Sequence, residues 1–137
     1  MAGRGPDRKL EALKAVPLFA GSAKRDMQSV AQITDELDLP SGKELIRENE
    51  IGRQFFILLE GEADVRRRGR RVNILRAGDF FGEIALLADR QTTATVTTTT
   101  PVRVLVVTRA NFHRLLRDTP PLQWSVIQAL AQRVPLD

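Results

Sequence analysis

Five glycines divide the middle of the chain at nearly equal intervals. They lie at positions 42, 52, 61, 69 and 78, and the segments between them have the length of short strands. The predicted strands cover residues 44–48, 54–60, 62–67 and 71–76. Short strands separated by turn residues roughly every eight to twelve positions are typical of sandwiches, barrels and jelly rolls. Residues 55–59 are apolar on both faces, which predicts a central strand.

Helical segments are predicted before this β region. Leu10, Leu13 and Val16 recur at helical spacing, so residues 9–32 are predicted as an N-terminal helical segment. Residues 1–8 are small and charged, and we expect them to be a disordered tail.

The β pattern resumes over residues 95–107, which are rich in Thr and Val, and Thr108 is a candidate N-cap for the next helix. Two C-terminal helices are predicted over residues 108–134, separated by a Pro-Pro pair. The predicted fold is therefore mainly β with flanking helices. An antiparallel jelly roll (β-roll) over residues 33–107 lies within a single domain of residues 9–137, with N-terminal helices and two C-terminal helices.

The composition excludes several kinds of active site. The only His is His113, which falls in a predicted helix, and there is no Cys. Metal sites built from several His, as in the cupin enzymes, and thiolate sites are thereby excluded. No serine follows a predicted strand as a nucleophile elbow requires, and no P-loop or GxGxxG motif occurs. We expect no enzyme activity, no metal site and no cofactor.

The charge and hydropathy patterns indicate a cytoplasmic protein. The net charge of +4 allows anionic partners but does not select nucleic acid. No apolar run approaches the roughly 20 residues of a membrane span, and the N-terminus has no secretory apolar core.

An arginine-rich segment, VRRRGRR, covers residues 65–71. Arginines around Gly69 indicate the exposed tip of a hairpin, whereas a second interpretation is a patch for nucleic-acid or lipid phosphates. No aromatic residue is interleaved to stack bases. We therefore expect an exposed turn, peripheral to any ligand site.

The segment LRAGDFFGEIALLADRQTTATV, residues 75–96, resembles the phosphate-binding cassette of cyclic-nucleotide-binding domains. These domains occur in catabolite-activator-type regulators, kinase regulatory subunits and gated channels. VPLFAGSAKRDMQSVAQ, FFILLEGEADV and VRVLVVTRANFHRLL resemble the family's N-terminal helices, central hairpin and last strand with its following helix. The resemblance implies a β-roll, a regulatory role and cAMP or cGMP as the candidate ligand. It is less specific for ligand binding than for the fold, because some members bind no nucleotide.

The resemblance implies roles for individual residues of the cassette. The family's Glu accepts the proton of the ribose 2′-hydroxyl, and here that residue is Glu83. Gly82 lets the backbone come close, and Ala85 would offer a backbone N–H to the phosphate. The candidate ligand-binding residues of this stretch are Phe81, Gly82, Glu83, Ile84 and Ala85.

Thr92 stands where the family usually has an arginine. When the family's Pro-Arg-(Ser/Thr/Ala)-Ala-(Thr/Ser)-Val pattern is aligned from Gly82, Thr92 takes the Arg position and Thr93 supplies the hydroxyl that often touches the phosphate. The Arg normally pairs with the cyclic phosphate. Three alternatives follow: Arg90 substitutes for it, the site binds weakly through its backbone, Glu83 and Thr93, or the cassette is a structural relic or serves another ligand.

The predicted function is a regulatory or sensory module with weak or altered cyclic-nucleotide binding. The alternative is a ligand-silent interaction domain that forms a homodimer through its last helix. Trp124 in this helix is a candidate cap over the base or a dimer contact, although packing in the core is the preferred interpretation. Because nothing after the roll can supply a recognition helix, we expect no sequence-specific DNA binding by this chain.

Overall fold

The computed structural model describes residues 6–133, and these contain five α-helices, one 3-10 turn and eight strands. Residues 1–5 of the predicted tail, and residue 134 of the predicted last helix, lie outside the described residues. The elements are α1 (Pro6–Lys14), the 3-10 turn (Pro17–Phe19), α2 (Lys24–Ile33), β1 (Asp35–Leu39), β2 (Glu44–Ile46), β3 (Gln54–Glu60), β4 (Ala63–Arg67), β5 (Arg70–Leu75), β6 (Phe80–Phe81), α3 (Glu83–Leu87), β7 (Thr95–Thr98), β8 (Val102–Thr108), α4 (Arg109–Asp118) and α5 (Pro120–Arg133).

Helix α1 begins at Pro6, three residues before the predicted helical segment. Proline is favoured in the first turn of a helix, where its missing N–H is not needed and its backbone angle is already helical.

The strands form two four-stranded antiparallel sheets, which confirms the predicted β-roll. Sheet 1 has the order β1-β8-β3-β6 and sheet 2 has the order β2-β7-β4-β5. The core contains nine buried side chains from both sheets: Phe56, Leu58, Ala63, Leu75, Phe81, Val96, Val102, Val104 and Val106. Strand β3 has the predicted bounds and, as expected, lies between two neighbours, β8 and β6.

Two strands were not predicted from the sequence. Strand β1 has the sequence DELDL, which is too acidic to read as a strand, and it lies at the edge of sheet 1. Its Glu36 and Asp38 are held by Arg103 of β8, at 3.4 and 3.1 Å. Strand β6 has only two residues and exists through its pairing with β3.

Both faces of sheet 1 are covered by aromatic side chains. Phe56 stacks on Phe81 at a centroid distance of 4.9 Å within the roll, and Phe55 stacks on Phe112 of α4 at 4.7 Å. The hydroxyl of Thr108 accepts the N–H of Asn111 at 3.2 Å, which confirms Thr108 as the N-cap of α4. The first turn of α4 is therefore anchored to the roll.

The chain separates into two compact units, residues 34–113 and a helical unit made of the segments before and after them. In the helical unit, the buried side chains include Leu13, Met27, Leu122 and Val126. The preferred interpretation of Trp124 as a core residue was wrong, because its side chain is 61% exposed. No helix among the described residues is long and apolar enough to span a membrane.

Candidate functional site

Helix α3 begins directly after Gly82, which has the left-handed backbone angle φ 93°. A Cβ atom at this position would lie 2.6 Å from the carbonyl oxygen of Gln54 in β3. Only glycine combines this backbone conformation with this approach. The close contact that the sequence predicted at Gly82 is therefore made with the roll itself.

The other candidate residues of this stretch differ in exposure. Phe81 belongs to the core of the roll, and Glu83, the first residue of α3, is only 2% exposed. Ala85 is also buried and packs so closely on Gly52 that a Cβ there would lie 2.4 Å from the Ala85 Cβ. Ile84 is exposed. The short helix is thus held between the loop after β2 and the roll.

Arg109, the first residue of α4, contacts both the loop after β2 and helix α3. Sequence reasoning missed this residue. Its Nε donates to the Gly52 carbonyl at 3.3 Å, and its Nη2 donates to the Ala85 carbonyl at 3.5 Å. Its Nη1 pairs with Asp89 at 3.0 Å. A cation at the N-terminus of a helix is electrostatically unfavourable. The unusual arginine at the predicted start of α4 was the one signal in the sequence that this side chain has a specific contact.

Thr92 is 7% exposed and its hydroxyl is used twice within the protein. It accepts the Glu50 N–H at 3.0 Å and donates to the Arg47 carbonyl. The backbone of Thr92 adds two bonds, because its N–H donates to the Glu50 carbonyl at 2.8 Å and its carbonyl accepts the Asn49 N–H at 2.9 Å. Thr92 therefore connects the cassette to the loop after β2.

Three other threonines between residues 92 and 100 also bond to backbone groups. The Thr100 hydroxyl accepts the Glu62 N–H at 2.9 Å and donates to the Pro101 carbonyl at 2.9 Å. The Thr95 hydroxyl accepts the Glu48 N–H at 3.0 Å. The Thr98 hydroxyl accepts the Lys43 N–H at 2.8 Å and donates to the Pro40 carbonyl at 2.7 Å. Strand propensity alone does not account for these positions, since each hydroxyl satisfies backbone groups that the sheet leaves unpaired.

A surface cleft of about 560 Å³ brings together Arg90, Thr92 and Thr93. We name it the arginine cleft, and its lining residues are Glu48, Asn49, Arg67, Arg68, Arg90, Gln91, Thr92 and Thr93. The candidate residues 81–85 are not part of this lining. Of the predicted site residues, the structure therefore places three in the cleft and the other five at or beneath α3.

The arginine-rich turn, which we expect to be peripheral to any ligand site, contributes to the lining of this cleft. Arg67, Arg68 and Gly69 are exposed at the turn between β4 and β5, as predicted. The Nε of Arg67, however, donates to the Thr93 carbonyl at 3.1 Å, which holds the turn against the cassette. Sequence reasoning missed this contact because 26 positions separate the two residues.

The described residues contain no group of three or more His, Asp or Glu side chains that could hold a metal ion. The polar groups described above belong to the cassette, the arginine cleft and the contacts of Arg109.

Comparison with known proteins identifies similar sequences. A family model described as "Cyclic nucleotide-binding domain" matches residues 36–119. The cAMP-dependent protein kinase regulatory subunit of Eremothecium gossypii is 38% identical over 105 residues, which cover 76% of this chain and 23% of the relative. The chain thus spans about a quarter of the length of that relative.

Solved structures with the same fold include the regulatory subunit of a cAMP-independent protein kinase A from Trypanosoma brucei. It has a TM-score of 0.83 and 25% identity, over 93% of this chain and 46% of that chain. A second structure is of a mutant of the same T. brucei protein bound to cAMP in the A site. The mutant has three substitutions, one of which changes a threonine to arginine. It has a TM-score of 0.80 and 25% identity, over 93% of this chain and 48% of that chain.

Proposed function

Because the chain belongs to the cyclic nucleotide-binding domain family and resembles the regulatory subunits of cAMP-dependent protein kinase, we propose that it is a regulatory domain with weak affinity for cAMP and cGMP. The affinity would be low because the phosphate of the nucleotide is poorly recognised. The fold and the helix α3 region would be retained, and the ligand contact normally made by an arginine would be missing.

The observation that carries this proposal is the hydrogen bonding of Thr92. Its hydroxyl proton is committed to the Arg47 carbonyl, and the oxygen accepts the Glu50 N–H. Thr92 therefore has no donor left for a phosphate oxygen. A hydrogen bond to a charged group contributes about 1.5–3 kcal/mol, so its loss weakens binding by about 10- to 150-fold.

The T. brucei structures support the same interpretation. The protein kinase A to which that regulatory subunit belongs is described as cAMP-independent, and the mutant subunit bound to cAMP carries a threonine-to-arginine change among its three substitutions. A kinase of this kind supports the proposal that the fold can be retained while cyclic-nucleotide recognition is altered.

We propose that Arg90 does not substitute for the missing arginine. Its side chain lines the arginine cleft with Arg67 and Arg68, whereas Gly82, Glu83 and Ala85 do not. The weak binding that we propose would instead use Glu83, Thr93 and the backbone of the cassette.

Calorimetric titration with cAMP and cGMP tests the proposal. We expect Thr92→Arg to tighten binding of the preferred nucleotide by about 10- to 150-fold, since one charge-assisted hydrogen bond is gained. Arg90→Ala is expected to leave wild-type affinity unchanged. Thr99→Arg is the matched control, because it adds the same charge at an exposed position outside the cleft. Tight wild-type binding that Thr92→Arg does not improve would refute the proposal.

A second candidate function is a ligand-silent interaction domain, and the exposed face of α5 favours it. Trp124 and Ile127, three positions apart on this helix, are 61% and 54% exposed. Large apolar side chains neighbouring each other on a surface are typical of interaction sites. If neither nucleotide binds and sedimentation shows a dimer that Trp124→Ser dissociates, this second function is supported.

A further inference from the structure

The residues that line the arginine cleft carry an excess of positive charge. Its lining includes three guanidinium groups and one carboxylate, that of Glu48, which is a formal excess of two positive charges. The carboxylate is half-buried and accepts the backbone N–H of Arg68 at 3.0 Å rather than a guanidinium.

The three guanidinium groups are available to a ligand. Within residues 6–133, the ion pairs involve other arginines, and none includes Arg67, Arg68 or Arg90. Arg67 uses its Nε for the Thr93 carbonyl, which orients the side chain and leaves both Nη groups free of that contact. Like charges brought into one cleft repel each other, and a bound anion removes this repulsion.

The amount of charge distinguishes between kinds of phosphate. A cyclic phosphodiester carries one negative charge, whereas a phosphate monoester carries about −1.5 to −2 near neutral pH and has three terminal oxygens. One guanidinium group can form two parallel hydrogen bonds to phosphate oxygens. Three guanidinium groups carry more positive charge than is needed to neutralise the single negative charge of a cyclic phosphodiester. The cleft volume of about 560 Å³ is within the usual range for small-molecule sites.

We propose that the arginine cleft binds the terminal phosphate group of a small molecule, a phosphate monoester or a diphosphate, through Arg67, Arg68 and Arg90. This proposal does not rest on cyclic-nucleotide binding, and Thr92 and Thr93 belong to both the cleft and the cassette. Gln91 and Asn49 border the cleft and supply neutral polar contacts for the remainder of the ligand. Thr92 contributes no hydroxyl proton, because that proton is donated to Arg47.

Titration of the full chain at low ionic strength with pyrophosphate, AMP, inorganic phosphate and cAMP tests this inference. We expect saturable binding of pyrophosphate and AMP that is at least tenfold tighter than that of cAMP. Arg68→Gln and Arg90→Gln should each weaken pyrophosphate binding by about 10- to 150-fold, the value of one charge-assisted hydrogen bond. Both side chains are exposed, so we expect both variants to fold, which circular dichroism checks.

Arg70→Gln is the matched control, because Arg70 is exposed on the same hairpin but does not line the cleft. It removes the same charge and should leave binding unchanged. Equal weakening by Arg70→Gln and Arg68→Gln would overturn the proposal by showing non-specific attraction. Absence of pyrophosphate and AMP binding, or cAMP that displaces pyrophosphate and binds more tightly than AMP, would overturn it as well. Inorganic phosphate that competes with AMP supports recognition of the phosphate group itself.

Discussion

Thr92 and Glu50 exchange two hydrogen bonds across the boundary between the cassette and the loop after β2. The Glu50 N–H donates to the Thr92 hydroxyl at 3.0 Å, and the Thr92 N–H donates to the Glu50 carbonyl at 2.8 Å. An arginine side chain has no acceptor and cannot replace the first of these bonds. Thr92 therefore departs from the arginine of the family's phosphate site but stabilises the local fold through these bonds.

Removal of the Thr92 hydroxyl is expected to destabilise the protein. Thr92→Val keeps the shape of the side chain but leaves the Glu50 N–H and the Arg47 carbonyl without this partner. An unsatisfied buried polar group costs about 1–3 kcal/mol, and we expect the free energy of unfolding in urea to fall by that amount. Thr97→Val, in the same segment, is the control. Its hydroxyl makes no side-chain hydrogen bond within residues 6–133, and a change within about 0.5 kcal/mol is expected. Equal losses in the two variants would contradict this prediction.

Thr92→Arg is expected to exchange stability for ligand binding. Without nucleotide, the variant should lose about 1–3 kcal/mol of unfolding free energy, because the same two backbone groups lose the hydroxyl. Saturating cAMP, at about 100 times its dissociation constant, should restore about 2.7 kcal/mol by mass action. Urea unfolding with and without cAMP measures both quantities. A variant as stable as wild type in the absence of nucleotide would show that the Thr92 bonds contribute little.

Substitution of two glycines that have similar backbone angles distinguishes the cost of a left-handed backbone conformation from the cost of a steric clash. Gly82 has φ 93° and Gly42 has φ 82°, but only Gly82 has a backbone atom within 3 Å of a would-be Cβ. Gly42→Ala should cost about 1–2 kcal/mol from the left-handed conformation alone. Gly82→Ala should cost at least about 1 kcal/mol more, since β3 would have to move. Thermal unfolding of both variants measures the difference, and equal costs would contradict the close approach to Gln54.

Arg109→Lys is expected to loosen the attachment of α3. Lysine keeps the charge but cannot reach the Gly52 carbonyl, the Ala85 carbonyl and Asp89 together, because its ammonium is a single point. We expect a loss of about 1–3 kcal/mol in unfolding free energy and faster hydrogen exchange at the amides of α3. Asp89→Asn removes only the ion pair. Because Asp89 is 89% exposed, that variant should change stability by less than about 0.5 kcal/mol. An effect of Asp89→Asn as large as that of Arg109→Lys would assign the role to the ion pair instead.

The regular part of the fold could be predicted because its signals are local. The bounds of β3 and the N-cap at Thr108 follow from patterns within a few residues. Strand β1 was missed because its acidic residues are acceptable only at a sheet edge beside Arg103. The exposure of Trp124 was missed because helical spacing identifies a buried face but does not show how wide that face is.

The sequence by itself determined the β-roll, the position of the cassette and the threonine at position 92, since these depend on short-range periodicity and on residue identity. Only the tertiary structure decided what those residues contact. The Thr92 hydroxyl meets Arg47, which is 45 positions away, and Arg109 meets Gly52, which is 57 positions away. Arg67 likewise reaches Thr93 across 26 positions to form one wall of the arginine cleft. Hydrogen bonds and charge clusters depend on distances of a few ångströms between atoms, and folding alone brings residues so far apart in the chain to such distances.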